Sequence, residues 1–91
     1  MKALAQVFDQ IFKDPRHRAL LIEGQVFTAW PRVVGLQVAQ ISRPVRFERG
    51  TLQIKVYSAT WRNELSMISP DIIRKINERV GTNAVKKIIF R

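Results

Sequence analysis

Between Val56 and Leu65 the chain reads VYSATWRNEL, crowding a tyrosine, a serine, a threonine, a tryptophan, an arginine and a glutamate into one short stretch. Such a set could attack a substrate, recognise a ligand, or simply join two structural elements. A serine or threonine nucleophile needs a base beside it, and none accompanies Ser58 or Thr60 in the sequence. The one histidine, His17, lies in DPRHRALL between two arginines. With no orienting carboxylate identified for it, it is expected as an exposed residue at a helix start rather than as a general base. Glu64 and Asp71 stand seven apart. Glu64 is equally placed to pair with Arg62 or Arg74, so both acids are expected on solvated helix surface. The four glycines, at 24, 35, 50 and 81, are isolated and form no phosphate cradle, and metal-ligand spacing is absent from the sequence. The expectation is a binding protein rather than an enzyme, with no cofactor and no metal.

Charge then becomes the informative property. Sixteen Lys and Arg against seven Asp and Glu give a net charge of +9, with an isoelectric point near 11.2. Long-range attraction and counterion release draw such a chain to polyanions, nucleic acid first among them. An anionic membrane surface or an acidic protein patch would satisfy the same charge, and a merely solubilising basic surface is the plain alternative. Ninety-one residues suit one domain with a small core, and an apolar share of 46% suits a globular chain rather than a disordered one. The lack of cysteine excludes disulfides and thiolate metal sites and permits a reducing compartment. The opening MKALAQVFDQIFKD is too interrupted by polar residues for a signal peptide, and no apolar run approaches a membrane span. A cytoplasmic protein without membrane attachment is expected.

The elements that would position a binding surface follow from periodicity. Leu4, Val7, Phe8, Ile11 and Phe12 fall at helical spacing, so residues 1–14 are expected to hold an N-terminal amphipathic helix and residues 15–91 the main domain. Pro15 breaks the pattern, with Asp14 as a cap for the next helix. That second helical pattern runs through Ala19, Ile22, Val26, Trp30 and Val33, with a kink or fresh start expected at Pro31 and an interruption at Gly35. Val45 and Phe47 alternate with Arg46 and Glu48, and Leu52, Ile54 and Val56 alternate with Gln53, Lys55 and Tyr57. Period two on both sides of Gly50 predicts an antiparallel hairpin with one buried face, the glycine supplying a positive φ. Trp61, Leu65, Ile68, Ile72, Ile76 and Val80 then form one helical stripe across two segments. Ser69 is expected as the N-cap of the second segment, Pro70 as its first residue and Gly81 as its terminator. The closing AVKKIIFR predicts a third strand. The result is an α+β fold, ordered α-β-β-α-β, with a three-stranded sheet and helices on one face.

In this frame VYSATWRNEL is a joint. Ser58 or Thr60 caps a helix, and Trp61 is expected as buried structure anchoring that helix on the sheet. Tyr57 and Arg62 are left unexplained by packing. Strict alternation gathers Arg46, Glu48, Gln53, Lys55, Tyr57, Lys87, Ile89 and Arg91 on the face of the sheet that no helix covers. Cations for phosphates and a ring for stacking suit single-stranded nucleic acid. The candidate binding residues are therefore Arg46, Lys55, Tyr57, Lys87 and Arg91, with Arg62 extending the basic track at the rim. Arg74, Lys75 and Arg79 form a second basic row on the last helix.

Five stretches in order carry a resemblance to a known family: WPRVVG (Trp30–Gly35), SRPVRF (Ser42–Phe47), GTLQIKVYSATWRNEL (Gly50–Leu65), INERVG (Ile76–Gly81) and VKKIIFR at the close. Together they resemble the DciA family of bacterial replicative-helicase loaders over nearly the whole chain. The resemblance implies a KH-like domain of type II order. It also implies a protein of DNA replication that engages the replicative helicase, binds single-stranded DNA and helps place one on the other. The chain departs from RNA-binding KH domains in having no GxxG loop. It also closes at Arg91, where many family members continue into a flexible basic tail. A KH-like RNA-binding accessory protein, ribosomal or RNA-processing, is the alternative.

Overall fold

A computed structural model describes residues 13–91; the apolar stripe from Leu4 to Phe12 lies outside the described residues. Helix α1, Pro15–Val34, starts as its sequence predicts. Pro15 fills the first turn, where no N–H is needed, and the Asp14 carboxylate accepts from the Arg16 backbone N–H at 2.9 Å. The same carboxylate lies 3.3 Å from His17 Nδ1. The histidine thus has an acidic neighbour three residues before it, at a spacing that brings side chains together at a helix start, and His17 itself stays exposed. Of the kink or fresh start expected at Pro31, the fresh start does not occur: α1 continues through the proline to Val34. The proline faces solvent and forfeits one backbone bond close to the helix end. The restart falls instead at Gly35, whose φ of 87° turns the chain into the single turn α2, Leu36–Ala39.

Strands β1 (Ser42–Glu48) and β2 (Thr51–Val56) form the predicted antiparallel hairpin. Its two-residue turn has positive φ at both Arg49 (51°) and Gly50 (81°), the geometry whose twist matches paired strands. Gly50 is required twice over, because a Cβ there would come within 2.7 Å of Lys86 Cγ. Gly50→Ala is therefore expected to cost about 1–2 kcal/mol from the left-handed backbone alone, plus displacement of Lys86. Urea unfolding should show a lowered midpoint at unchanged slope.

Helix α3, Ala59–Met67, is capped by Ser58, whose Oγ accepts from the Trp61 N–H at 3.2 Å. The joint predicted at VYSATWRNEL thus uses Ser58, while Thr60 lies within the first helical turn. Helix α4, Ser69–Val80, corrects a second expectation. Ser69 is its first helical residue, Ile68 occupies the cap position, and no side chain caps it. Pro70 and Asp71 sit in the first turn as expected, and Gly81 (φ 86°) closes the helix with its N–H on Asn77 O. The Asn77 side chain then pins the approach to β3, donating to Val85 O (3.0 Å) and accepting from Val85 N–H (2.9 Å).

Strand β3, Lys87–Phe90, adds to β2 in parallel, giving a mixed three-stranded sheet ordered β1-β2-β3. A parallel neighbour needs a crossover, which α3 and α4 supply. Leu52, Ile54 and Val56 of the central strand bury their face against Val26, Trp30, Leu65, Ile72 and Ile76. The polar centre of this core is closed. Trp30, 1% exposed, donates from Nε1 to Ser42 Oγ at 3.0 Å, and Ser42 Oγ donates to Val38 O at 2.6 Å. Trp30 also packs on Phe90 with ring centroids 6.3 Å apart. Trp61, expected as the buried anchor, is only half-buried and packs against the edge of this cluster. Its stripe leaves the core at the α3–α4 joint, where Ile68 is exposed.

Candidate nucleic-acid interface

The sheet face opposite the core is built from three ranks of side chains, and a bulge decides their phase. Ser42 pairs with Val56 and Pro44 with Ile54, both on the core side, before the register shifts and Arg46 takes its place opposite Gln53. Val45 occupies the irregularity and is 40% exposed, so the expectation that it shares a buried face with Phe47 fails. The physical reason is the extra residue: two positions on β1 oppose one on β2, and alternation restarts after it. The consequence is an additional cation. Arg43, which strict alternation turned inward, pairs with Lys55 on the open face. Pro44 was the available signal, since proline within a strand marks an edge or a bulge.

Arg91 joins the same rank from the other side. Its N–H bonds Ile54 O at 2.9 Å and its carbonyl accepts from Val56 N–H at 2.8 Å, which sets it beside Lys55. Arg43, Lys55 and Arg91 thus run across all three strands with no acid among them. Like charges directly opposite destabilise a sheet, so this rank carries a cost that an anion would relieve. The next rank is Arg46, Gln53 and Ile89, and the third is Glu48, Thr51 and Lys87. Arg46 forms an ion pair with Glu48 along its own strand, and Arg91 donates to Gln53 Oε1 at 2.8 Å. Lys55 Nζ stands 5.9 Å from the centre of the Tyr57 ring, itself 60% exposed.

These side chains surround one shallow depression of about 350 Å³, lined by Arg43, Arg46, Lys55, Tyr57 and Arg91 with Val45 and Gln53. Of the candidates read from sequence, Arg46, Lys55, Tyr57 and Arg91 are brought together here. Lys87 lies on the same face in the rank of Glu48, outside the depression. Arg62 turns inward. Its Nη2 donates to Val56 O at 3.1 Å and its Nε is buried without a partner among the described residues, so it braces the end of β2 at the joint.

The second basic row is electrostatically weaker than its residue types suggest. Arg74 is paired with Glu78 at 2.8 Å and with Asp71 at 3.6 Å. The hydrogen bond and charge of Glu78, with a smaller share from Asp71, raise the guanidinium above its ordinary pKa. Lys75 and Arg79 make no ion pair among the described residues. Among those residues, too, no helix is long and apolar enough to cross a membrane.

The chain is similar to several known proteins. A UPF0232 protein of Mycobacterium leprae is 29% identical over 85 residues, covering 93% of this chain and 45% of that protein. The UPF0232 protein of Mycobacterium tuberculosis H37Rv is 32% identical over 66 residues, covering 72% of this chain and 35% of its own length. One from Mycolicibacterium smegmatis is 30% identical over 82 residues, covering 90% and 42%. The chain spans less than half the length of these curated relatives. The model of the family described as "Dna[CI] antecedent, DciA" matches from residue 3 to residue 90, and on that match the chain belongs to the DciA family.

Proposed function

We propose that this chain is a non-enzymatic accessory protein of DNA replication, acting in the cytoplasm. It binds single-stranded DNA on the open face of its sheet, binds the replicative helicase, and assists in loading one onto the other. The observation that carries the DNA contact is the rank of Arg43, Lys55 and Arg91, three neighbouring cations without an acid between them. Tyr57, exposed beside Lys55, offers a ring for one base, worth about 1–3 kcal/mol when stacked. Nothing on this face forms an array of base-reading side chains, so contacts go to phosphates with little sequence preference. Family membership supports the helicase as the protein partner. The α-β-β-α-β order, with β3 parallel to a central β2, supports a KH-like domain of type II order, with the hinge between α3 and α4 as its two-segment helix. That hinge carries Met67, Ile68, Ser69 and Pro70, whereas a backbone-clamping KH loop is built on GxxG. This favours contact through the sheet rather than through a helical clamp.

The test is charge reversal on two faces, read by fluorescence anisotropy with a labelled oligonucleotide. Lys55→Glu combined with Lys87→Glu should weaken single-stranded DNA binding and flatten its salt dependence, because counterion release scales with phosphate contacts. Both side chains lie on the open face, so the fold should survive. Reversing Arg74, Lys75 and Arg79 should have the smaller effect, Arg74 being already neutralised by Glu78 and Asp71. Loss of binding from the helix set alone would move the site to α4. Tighter binding of an RNA of equal length would favour an RNA-binding role, and failure of the purified helicase to bind the unaltered chain would remove the loading role.

A further inference from the structure

A second surface has a different chemistry. Along the outer side of α1, Leu20, Gly24, Thr28 and Arg32 recur every four residues. With Leu21 and with Arg79 of α4 they line an open groove of about 510 Å³. Leu20 is 66% exposed and Leu21 40%, although both lie on a helix whose other face enters the core.

Gly24 is the residue that the fold itself does not explain. It sits within a twenty-residue helix, has no positive φ, and a Cβ added to it would meet nothing within 4 Å among the described residues. Neither backbone geometry nor internal packing needs a glycine there, and it costs the helix about 0.5–1 kcal/mol relative to alanine. Its effect is to leave a notch between Leu20 and Thr28, into which another backbone can come close. The Thr28 hydroxyl donates to Gly24 O at 2.8 Å, so its one donor is already used and the floor asks for apolar contact. The rim asks for acid, since Arg32 and Arg79 make no ion pair among the described residues.

We infer that this groove docks an amphipathic helix from a protein partner, one with an apolar stripe flanked by carboxylates. Apolar anchors at helical spacing laid into such a groove are a recurrent recognition mode, and acids opposite Arg32 and Arg79 would fix register and hasten encounter. Charge selects among occupants. A second copy of this chain would bring another +9. The chain's own stripe at Leu4, Val7, Phe8 and Ile11 is flanked by Lys2, Asp9 and Lys13, which do not complement two arginines. Nucleic acid would meet two cations and no ring. This surface stands independently of the DNA-binding reading of the sheet.

The test uses the full chain, isotope-labelled, titrated with a short synthetic helical peptide carrying a leucine stripe flanked by glutamates. A matched peptide flanked by lysines is the control. Amide shifts should cluster at Leu20, Leu21, Gly24, Arg32 and Arg79 with the acidic peptide, and be absent with the basic one. Gly24→Leu fills open space with a better helix former, so it should fold with a raised Tm. It should nevertheless weaken the acidic peptide by about tenfold or more, with single-stranded DNA affinity unchanged. Arg32→Glu with Arg79→Glu should also weaken that peptide. The inference fails if the shifts fall on the sheet face, if the basic peptide binds equally, or if Gly24→Leu leaves peptide affinity intact. It fails as well if the unaltered chain sediments as a dimer that Gly24→Leu dissociates, or if deleting residues 1–12 is needed before the peptide binds.

Discussion

Trp30→Ala should remove about 3–5 kcal/mol of stability, the usual loss for a large aromatic emptied from a core. A domain of this length holds only about 5–14 kcal/mol in total, so urea unfolding should begin close to native conditions. The loss has two parts. The ring fills space among Val26, Val38 and the central strand and packs on Phe90. Its Nε1–H also holds Ser42, and through it Val38, in one buried chain of hydrogen bonds. Trp30→Phe separates the parts: most of the volume stays, the indole donor goes, and about 0.5–1.5 kcal/mol should be lost. Trp61→Ala should cost clearly less than Trp30→Ala, since Trp61 is half-buried. The reverse order in unfolding midpoints would overturn the assignment of Trp30 as the anchor.

Replacing Arg43, Lys55 and Arg91 together by glutamine should move stability and binding in opposite directions. In the free protein the three cations repel across adjacent strands, so neutralising them should raise Tm. On the proposed reading they meet phosphates in the complex, and each neutralised phosphate contributes about 0.7 to the slope of log affinity against log salt for single strands. Without the three cations that slope should flatten by about 2, and binding should stay weak even at low salt. Salt titrations of the triple variant beside the unaltered chain supply the binding readout, and thermal unfolding of the same two proteins supplies the other. A variant that gains stability and keeps its DNA affinity would show that the rank is not the binding surface.

The difference between what the sequence discloses and what it conceals has a physical pattern here. The hairpin, the helical stripe from Leu65 to Ile76 and the third strand were legible because each is a local periodicity, and the turn at Gly50 because positive φ favours one residue type. What escaped depends on how elements meet. Arg43 joins the open face only because β1 gains a residue against β2, and that offset exists only in the pairing. Arg62 and Lys55 are both basic residues near the end of β2, yet Arg62 reaches back to Val56 O while Lys55 stays on the surface. Both tryptophans lie on helical stripes in the sequence, but only Trp30 is enclosed, between Ser42 of β1 and Phe90 of β3, and that enclosure depends on how the elements meet. The α1–α4 groove joins residues far apart in sequence, and Gly24 becomes conspicuous only once the space around it is known.

The parallel placement of β3 also has a consequence for the order of folding. The β1–β2 hairpin closes through near neighbours and can form within microseconds. β3 reaches β2 through the crossover of α3 and α4, a long-range closure that costs more chain entropy than the hairpin. Arg91 reaches the cationic rank only through that closure, whereas Arg43 and Lys55 are brought opposite each other by the hairpin alone. A polyanion that requires all three binds the finished fold alone. By mass action it then stabilises that fold by about 2.7 kcal/mol at a hundred times its dissociation constant, so the ligand acts as a check that the chain is fully folded.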